Sequence, residues 1–493
     1  MVDEHSNYIN GKWARANTGK TYENINPATG EILGLFPLSG AAEVDRAVDA
    51  ASRSGAKWRK LPAPKRGEIL FKAAEIMVQR KEELARRMTM EMGKVLKEAR
   101  GDVQEGIDMT YYMAAEGRRL FGNTTPSELP NKYALSMRVP IGVVAAITPW
   151  NFPFAIPTWK IMPALVAGNT VVFKPSPFTP DMAYYLVKIL EEAGLPPGVI
   201  NLIYGEGPVL GVPLVEDPRV TLVSFTGSTK VGGEIAQRSA RLGKRYSLEM
   251  GGKNAIIVME DADLDLAVEG IIWSAFGTSG QRCTAASRII IQRSILSYLT
   301  EKIVTRAERL RLGNGLLPGT DVGPVIHQEA LDKILRYIKI GLEEGAKLLI
   351  GGGRATEGEL SKGLFVRPTV FGDVTPKIRI AQEEIFGPVT ALIPVDSLEE
   401  AIAVNNDTPY GLVTAIFTRD VNSAFRAMED ITTGIVYINS GTIGAEVHLP
   451  FGGTRGTSNG HREAGQATLD VYTEWKTVFV DYSGRLQKAQ MTD

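Results

Sequence analysis

The residues that indicate the fold most clearly are 142–174, with the sequence GVVAAITPWNFPFAIPTWKIMPALVAGNTVVFK. Two short apolar runs, Gly142–Ile147 and Thr170–Lys174, lie on either side of a helical stretch over Trp159–Ala167. Short apolar runs that alternate with helices are typical of β-α-β units, whose strands are parallel. This stretch therefore predicts an α/β fold built on a parallel sheet.

The alternation continues along the chain. Strands are predicted at Val199–Ile203 and Thr221–Phe225, and helices over Asp181–Ala193 and Gly207–Val215. A second alternating set starts at Asn254–Val258 and predicts a second α/β domain. Its further predicted elements are Asp263–Phe276, Ser287–Ile291, Ser294–Leu310, Lys347–Gly351, Val389–Val395, Leu398–Asn405 and Gly434–Asn439.

The segments before and after these two sets have other patterns. Hydrophobic periodicity predicts helices over Glu43–Trp58, Lys65–Met92 and Val95–Leu120. The tail Asp470–Tyr482 is rich in residues that favour strands, and we expect it to pair with another subunit.

Composition excludes several classes of protein. The chain has 493 residues, which is too many for a single hydrophobic core. Its formal net charge of -1 offers no basic surface to a nucleic acid or a membrane. One cysteine and four histidines without metal-ligand spacing exclude an intramolecular disulfide and predict no metal site. Since the sequence has no signal-peptide pattern and no apolar run of ~18 residues, a cytoplasmic enzyme is expected.

Cys283 follows a glycine-rich turn in Phe276-Gly-Thr-Ser-Gly-Gln-Arg-Cys283 and precedes residues compatible with a helix. A cysteine at a helix start beside Arg282 would have a lowered thiol pKa and could act as a nucleophile. A lone cysteine can also be a small buried hydrophobic residue. A cysteine protease would need a histidine against Cys283, for which His448 is the candidate.

Two polar residues have the chemistry to assist a nucleophile. Glu249 ends a strand-like run before two glycines, where its carboxylate could activate water as a general base. Asn151 lies in Pro149-Trp-Asn-Phe-Pro153, and its side-chain amide could donate to a developing oxyanion. A helix cap or solvated acid at 249 and an ordinary asparagine turn at 151 are the alternatives.

A nucleotide site is indicated without the GxGxxG fingerprint, which is absent. Phe225-Thr-Gly-Ser-Thr-Lys-Val-Gly232 follows a predicted strand and opens a helix, so Gly227 and Ser228 suit a pyrophosphate. Lys174 ends the neighbouring predicted strand, where a parallel sheet forms its ligand crevice.

A further stretch, Gln382-Glu-Glu-Ile-Phe-Gly-Pro388, has residues suited to the same ligand. Glu384 could accept hydrogen bonds from a ribose, and Phe386 could pack on a nicotinamide. A solvated acidic turn is the alternative interpretation.

Together and in this order, these motifs resemble the aldehyde dehydrogenase superfamily over nearly the whole chain. The matching stretches are Asn26-Pro-Ala-Thr-Gly30, Pro149-Trp-Asn-Phe-Pro153, Phe225-Thr-Gly-Ser-Thr229, Leu248-Glu-Met-Gly-Gly-Lys253, Gly280-Gln-Arg-Cys-Thr284, Glu384-Ile-Phe-Gly-Pro388 and Pro450-Phe-Gly-Gly453. The resemblance implies an NAD(P)-binding domain of Rossmann type at 1–119 and 140–250, an α/β catalytic domain at 251–450, and a small β oligomerisation element at 120–139 and 451–493.

The resemblance also implies the chemistry. Cys283 would attack an aldehyde, Asn151 and the backbone N–H of Cys283 would hold the oxyanion, and oxidation would leave a thioester. Glu249 would activate the water that releases the acid. Members that transfer the acyl group to coenzyme A generally lack this acid, so water is the expected acceptor. The coenzyme A reaction and a non-catalytic structural or binding protein of this fold are the alternatives.

The implied cofactor is NAD or NADP, with NAD favoured. Strongly NAD-selective members have a glutamate three residues after the strand-end lysine, whereas this chain has Pro177 and so no carboxylate to repel a 2′-phosphate. The implied cofactor contacts are Thr148, Pro149, Trp150, Lys174, Ser176, Pro177, Gly207, Phe225, Thr226, Gly227, Ser228, Gly232, Glu384 and Phe386.

The implied substrate is a small aldehyde. Its contacts would be Phe152, Trp159, Arg282, Thr284 and Phe451, with the loop Ser440–His448. Arg282 could attract a substrate carboxylate or serve only to tune Cys283. The stretches Gly441–Glu446 and Gly460–Gly465 look similar to branches that oxidise semialdehydes such as α-ketoglutaric or α-aminoadipic semialdehyde. The family pattern further implies a homo-oligomer, a dimer or a tetramer.

Overall fold

The structure, a computed structural model, describes residues 2–490. Its strands are β1 (Asn7–Ile9), β2 (Lys12–Ala14), β3 (Thr21–Ile25), β4 (Ile32–Pro37), β5 (Asn123–Pro126), β6 (Lys132–Pro140), β7 (Val143–Ile147), β8 (Thr170–Lys174), β9 (Ile200–Leu202), β10 (Val220–Thr226), β11 (Arg245–Glu249), β12 (Asn254–Val258), β13 (Ala286–Gln292), β14 (Lys347–Ile350), β15 (Arg354–Ala355), β16 (Phe365–Val366), β17 (Thr369–Gly372), β18 (Val389–Val395), β19 (Tyr410–Gly411), β20 (Val413–Phe417), β21 (Ile435–Ile438), β22 (Thr454–Arg455) and β23 (Thr473–Asp481). Its α-helices are α1 (Ala41–Trp58), α2 (Ala63–Gln79), α3 (Lys81–Met92), α4 (Leu96–Glu116), α5 (Ala155–Ala167), α6 (Pro180–Glu192), α7 (Gly207–Glu216), α8 (Thr229–Arg241), α9 (Leu264–Phe276), α10 (Leu296–Glu308), α11 (Gln328–Glu343), α12 (Arg379–Gln382), α13 (Leu398–Asn406), α14 (Val421–Asp430) and α15 (Leu469–Tyr472).

The first large sheet has the strand order β11-β10-β7-β8-β9-β1-β2. Strands β7 to β11 pair in parallel, and β1 and β2 form an antiparallel edge. Val143 and Ala145 of β7 join the core beneath α1 and α7, while Val144 and Ala146 join the core on the opposite face. Because both faces are covered, β7 is apolar throughout instead of alternating.

The second large sheet has the order β14-β17-β18-β13-β12-β20-β21 and is parallel except for β14 at its edge. Alternate residues of β12 again point into two separate hydrophobic clusters, Ile257 into one and Ile256 into the other. The predicted α/β fold with parallel sheets is therefore confirmed, whereas the predicted domain boundaries stay predictions.

A third sheet, of order β23-β6-β5, is antiparallel. Trp475 of β23 lies opposite Arg138 of β6, and Phe479 lies opposite Ala134. Tyr133, Trp475 and Phe479 are all exposed, so this sheet presents an apolar surface. Whether the tail pairs with another subunit stays a prediction.

Two local predictions are wrong. The pattern over Lys65–Met92 is two helices, because Arg80 leaves the helical conformation (φ −101°, ψ 8°) and ends α2 before α3 begins. The tail begins as a short helix, α15, and only then becomes the strand β23. Helices α11 and α14 were not predicted. Within residues 2–490 no helix combines the length and hydropathy needed to cross a bilayer.

Candidate active site

The carboxyl edge of the first sheet gathers several of the predicted site residues. Ile147 at the end of β7 pairs with Lys174 at the end of β8, and Thr226 at the end of β10 pairs with Glu249 at the end of β11. Thr148 follows β7 directly. Since parallel strands end at one edge, these residues open onto a shared crevice, the usual ligand position in such sheets.

Cys283 reaches this crevice from the second domain-sized unit. It lies in a loop between a tight, partly left-handed turn at Gly277–Gly280 and the strand β13. The prediction of a helix start at Cys283 is wrong, because the chain enters the second sheet only three residues later. Thr278 and Ser279 have left-handed backbone angles (φ 51° and 55°), which non-glycine residues rarely adopt.

The left-handed turn is held from α4. The Glu98 carboxylate accepts the Thr278 backbone N–H at 2.7 Å and lies 3.3 Å from the Arg282 guanidinium. Arg282 Nε also donates to Thr278 Oγ1 at 2.8 Å. These contacts tie the backbone ahead of Cys283 to a helix of the first unit.

Two cavities meet at Cys283. An open cleft of about 590 Å³ has Cys283 and Asn151 in its wall. A smaller cavity of about 280 Å³ has Cys283 and Glu249 in its wall. A molecule in either cavity therefore has access to the same thiol.

The open cleft contains half of the predicted cofactor contacts. Those in its wall are Pro149, Trp150, Thr226, Gly227, Ser228, Glu384 and Phe386. Those outside its wall are Thr148, Lys174, Ser176, Pro177, Gly207, Phe225 and Gly232. Gly232 has a packing role, because a Cβ there would collide with Met250.

The polar groups of the cleft suit a nucleotide. Ser228 caps α8, its hydroxyl accepting the Val231 N–H at 3.4 Å, so the positive end of the helix faces the cleft. Within residues 2–490, Thr226 Oγ1 is buried without a hydrogen-bond partner. Glu384 accepts the Gly252 N–H at 3.1 Å. Burial lowers the pKa of Lys174, beside the cleft, to about 8.

Aromatic side chains form the other wall of the cleft. Trp150 and Phe386 meet edge to face with their ring centroids 5.4 Å apart. Phe386 has a left-handed backbone conformation (φ 61°), and such strain is commonly found at functional sites.

The small cavity brings together the five substrate contacts predicted individually and three residues of the predicted loop. Its wall includes Phe152, Trp159, Arg282, Thr284 and Phe451, with Ile443–Ala445 of the predicted loop. The rings of Trp159 and Phe451 are 4.9 Å apart, edge to face. The guanidinium of Arg282 lies 5.5 Å from the Phe152 ring and 4.8 Å from that of Trp273.

Glu249 is a buried carboxyl with one unused oxygen. Its Oε2 accepts the Ser458 hydroxyl at 2.7 Å, while Oε1 is buried without a partner among residues 2–490. Burial raises the pKa of Glu249 well above its usual range, and the charge of Glu463 acts in the same direction. Such a carboxyl is a stronger base than an exposed glutamate once it is ionised.

The electrostatic environment of Cys283 contradicts the predicted lowered pKa. Burial, followed by the charges of Glu249 and Glu384, raises the pKa of the thiol to about 12, although the Thr284 N–H hydrogen bond acts in the opposite direction. Cys283 does not begin a helix, so no helix dipole lowers its pKa. The cationic group beside it on the loop is Arg282, whose charge is already paired with Glu98.

Several residues around the site were not predicted. Lys160, wholly buried on α5, pairs with Glu463 and donates to Ser224 Oγ at 3.2 Å. Its signal in the sequence is a single charge in an otherwise uncharged helix. Lys333 and Arg336 line the cleft from α11, a helix that was itself missed.

The geometry of a cysteine protease is not found in residues 2–490. The His448 imidazole is exposed, lies 3.4 Å from Glu446 and lines neither cavity that contains Cys283. No group of three or more possible metal ligands occurs in the same part of the chain.

Comparisons with known proteins identify the family. A model of the aldehyde dehydrogenase family matches residues 13–478, and the chain belongs to this family, as the resemblance predicted. Members of the family are oxidoreductases that act on aldehydes.

Among its relatives, the chain is similar to the alpha-ketoglutaric semialdehyde dehydrogenase of Bacillus subtilis (strain 168), with 46% identity over 475 residues, 96% of this chain and 97% of that protein. It is 43% identical to the alpha-ketoglutarate semialdehyde dehydrogenase of Haloferax volcanii, over 98% of this chain and 100% of that one. The betaine aldehyde dehydrogenase of Staphylococcus aureus, solved with NAD+, superposes with a TM-score of 0.96 at 34% identity and covers 98% of this chain and 95% of its own.

Proposed function

We propose that this chain oxidises an aldehyde to a carboxylic acid, with NAD or NADP as cofactor and a thioester on Cys283 as intermediate. One observation carries the proposal: Cys283 lies where the two cavities meet, with Asn151 beside the cleft and Glu249 beside the small cavity. This is the arrangement that a nucleophile, an oxyanion donor and a water-activating base require.

The first step is attack by sulfur. The Cys283 thiol gives its proton to water, and the thiolate adds to the aldehyde carbon, whose oxygen becomes an oxyanion. The Asn151 amide and the backbone N–H of Cys283 donate to this oxygen. Such donors stabilise charge that develops in the transition state, and losing one typically costs about 100- to 1000-fold in rate.

The residues of the open cleft would hold the cofactor. The unpartnered Thr226 hydroxyl and the amino-terminal end of α8 offer donors for a phosphate, and Trp150 and Phe386 offer apolar faces. Lys174 and Glu384 would hold ribose hydroxyls. The chemistry that NAD(P)+ supplies when bound is acceptance of the hydride that leaves the adduct on Cys283.

Glu249 acts in the last step. Its free Oε1 accepts a proton from water, while Ser458 fixes the other oxygen. The activated water attacks the thioester, the carbon–sulfur bond breaks, and the acid leaves with the thiol restored. This role favours water over coenzyme A as the acyl acceptor.

We further propose a substrate that has a carboxylate in addition to its aldehyde, such as α-ketoglutaric semialdehyde. Support comes from Arg282, which lies in the wall of the small cavity and also pairs with Glu98 there, and from the two relatives with that name. Burial also raises the pKa of Glu105, in the same wall, to about 8, so at neutral pH it is mostly uncharged and does not repel an anion.

A panel of aldehydes tests the function and the substrate class together. Reduced cofactor is followed by absorbance with semialdehyde acids and with uncharged aldehydes of equal length. We expect kcat/KM at least about 10-fold higher for the acids, about the worth of one charge-assisted hydrogen bond. Added coenzyme A should not change the rate.

Arg282→Gln should remove this preference, whereas Lys97→Gln, at an exposed lysine of the same cavity, should retain most of it because solvent screens that charge. Equal or better efficiency with uncharged aldehydes would refute carboxylate recognition. No cofactor reduction with any aldehyde would favour the non-catalytic alternative.

The cofactor preference is also testable, at Pro177. Pro177→Glu should lower the ratio of NADP to NAD efficiency at least about 10-fold, because a carboxylate there would repel the 2′-phosphate and accept hydrogen bonds from the ribose of NAD. Pro177→Gln is the matched uncharged control. The same ratio in both variants would show that this position does not discriminate between the cofactors.

Assembly and location remain proposals. The exposed aromatic residues of the third sheet support a homo-oligomer, a dimer or a tetramer, since large apolar patches on proteins commonly mark interfaces. We propose that the protein is cytoplasmic, because a chain with a single cysteine suits a reducing compartment.

A further inference from the structure

A wholly buried ion pair lies behind the loop that carries Asn151. Lys94, just before α4, and Asp102, on α4, are 2.8 Å apart, and both side chains are fully excluded from solvent. Burying two charges costs free energy that their mutual attraction often does not recover. A pair in such a position is therefore better explained by what it holds in place than by stability alone.

The pair contacts both ends of this loop. Lys94 Nζ donates to the Asn151 carbonyl at 2.7 Å, and Asp102 Oδ1 accepts the Ala155 N–H at 2.8 Å. Ala155 is the first residue of α5, so Asp102 caps that helix from another helix. Lys94 Nζ also lies 3.9 Å from the Phe152 ring centroid.

We propose that Lys94 and Asp102 are positioning residues for the side-chain amide of Asn151. They fix its backbone from behind, which sets the distance from the amide to the oxyanion formed on Cys283. The inference rests on the proposed function. Asp102 also lies in the wall of the small cavity and Lys94 contacts Phe152, but their proposed effect on the oxyanion runs through Asn151.

The test is a double-mutant cycle with Lys94→Met and Asn151→Ala, measured as kcat/KM for the best aldehyde of the panel. Alone, Lys94→Met should lower kcat/KM about 10- to 100-fold, since a misplacement of about 1 Å can cost 100-fold. In the Asn151→Ala background the same change should cost less than about 3-fold, because the amide that it positions is gone.

Two controls separate positioning from damage to the fold. Alkylation of Cys283 by iodoacetamide forms no oxyanion, so its rate should stay within about 2-fold of wild type in Lys94→Met. Lys72→Met, at an exposed lysine of α2, should keep wild-type kcat/KM. If Lys94→Met does not fold, the double variant Lys94→Met with Asp102→Asn, which removes both charges, takes its place in the double-mutant cycle with Asn151→Ala.

An equal loss in both Asn151 backgrounds would overturn the inference, and so would a Lys94→Met variant with wild-type kcat/KM. If the wild-type protein oxidises aldehydes, either of these results leaves the proposed function intact. A wild-type protein that reduces no cofactor with any aldehyde removes the proposed function and this inference with it.

Discussion

Cys283→Ser should lose aldehyde oxidation, with kcat falling at least about 10⁴-fold. A serine hydroxyl is a far weaker nucleophile than a thiolate, and the His448 imidazole, which could have activated it, lies away from the site. The measurement is cofactor reduction at saturating aldehyde with either nicotinamide cofactor.

Because the chain has one cysteine, thiol titration should give one equivalent for wild type and none for the variant, which verifies the change directly. Binding of the reduced cofactor should be unchanged, since the cleft keeps its walls. A serine variant with more than about one hundredth of wild-type turnover would exclude the thiol as the nucleophile.

Glu249→Gln should separate oxidation from hydrolysis. The variant should form one equivalent of reduced cofactor per chain in a burst and then turn over about 100- to 10⁴-fold more slowly, the range in which a general base contributes. The amide keeps the hydrogen bond to Ser458 but cannot take a proton from water. Stopped-flow absorbance measures both phases.

Glu105→Gln is the matched control, because it replaces another carboxyl in the wall of the same cavity with an amide. We expect this variant to turn over steadily without a burst, even if its KM for the aldehyde changes. Normal steady-state turnover in Glu249→Gln would remove this residue from the hydrolytic step.

The parts of the fold that the sequence predicts are those with local causes. β7 reads Val-Val-Ala-Ala-Ile because both of its faces are covered, and an uninterrupted apolar run of that length already indicates a buried parallel strand. The boundary at Arg80 was missed, since the residues on both sides of it favour helix and only the turn of the backbone separates α2 from α3.

The site contacts that the sequence does not predict join residues far apart in the chain. Glu249 and Ser458 are 209 residues apart, and Lys160 and Glu463 are 303 apart. No local pattern links such pairs, although a lone lysine in an apolar helix indicates that a partner exists. The helix start expected at Cys283 failed for a related reason: the following alanines enter the second sheet, where strand pairing outweighs helix propensity.

Trapping the intermediate tests the central claim most directly. Glu249→Gln is mixed with its aldehyde and oxidised cofactor, quenched in acid, and analysed as the intact chain and as peptides by mass spectrometry. We expect the mass to rise by one acyl group, located on the peptide that contains Cys283, and hydroxylamine should remove it as it does other thioesters. An unmodified chain after a full burst, or an acyl group on any other residue, would contradict a thioester on Cys283.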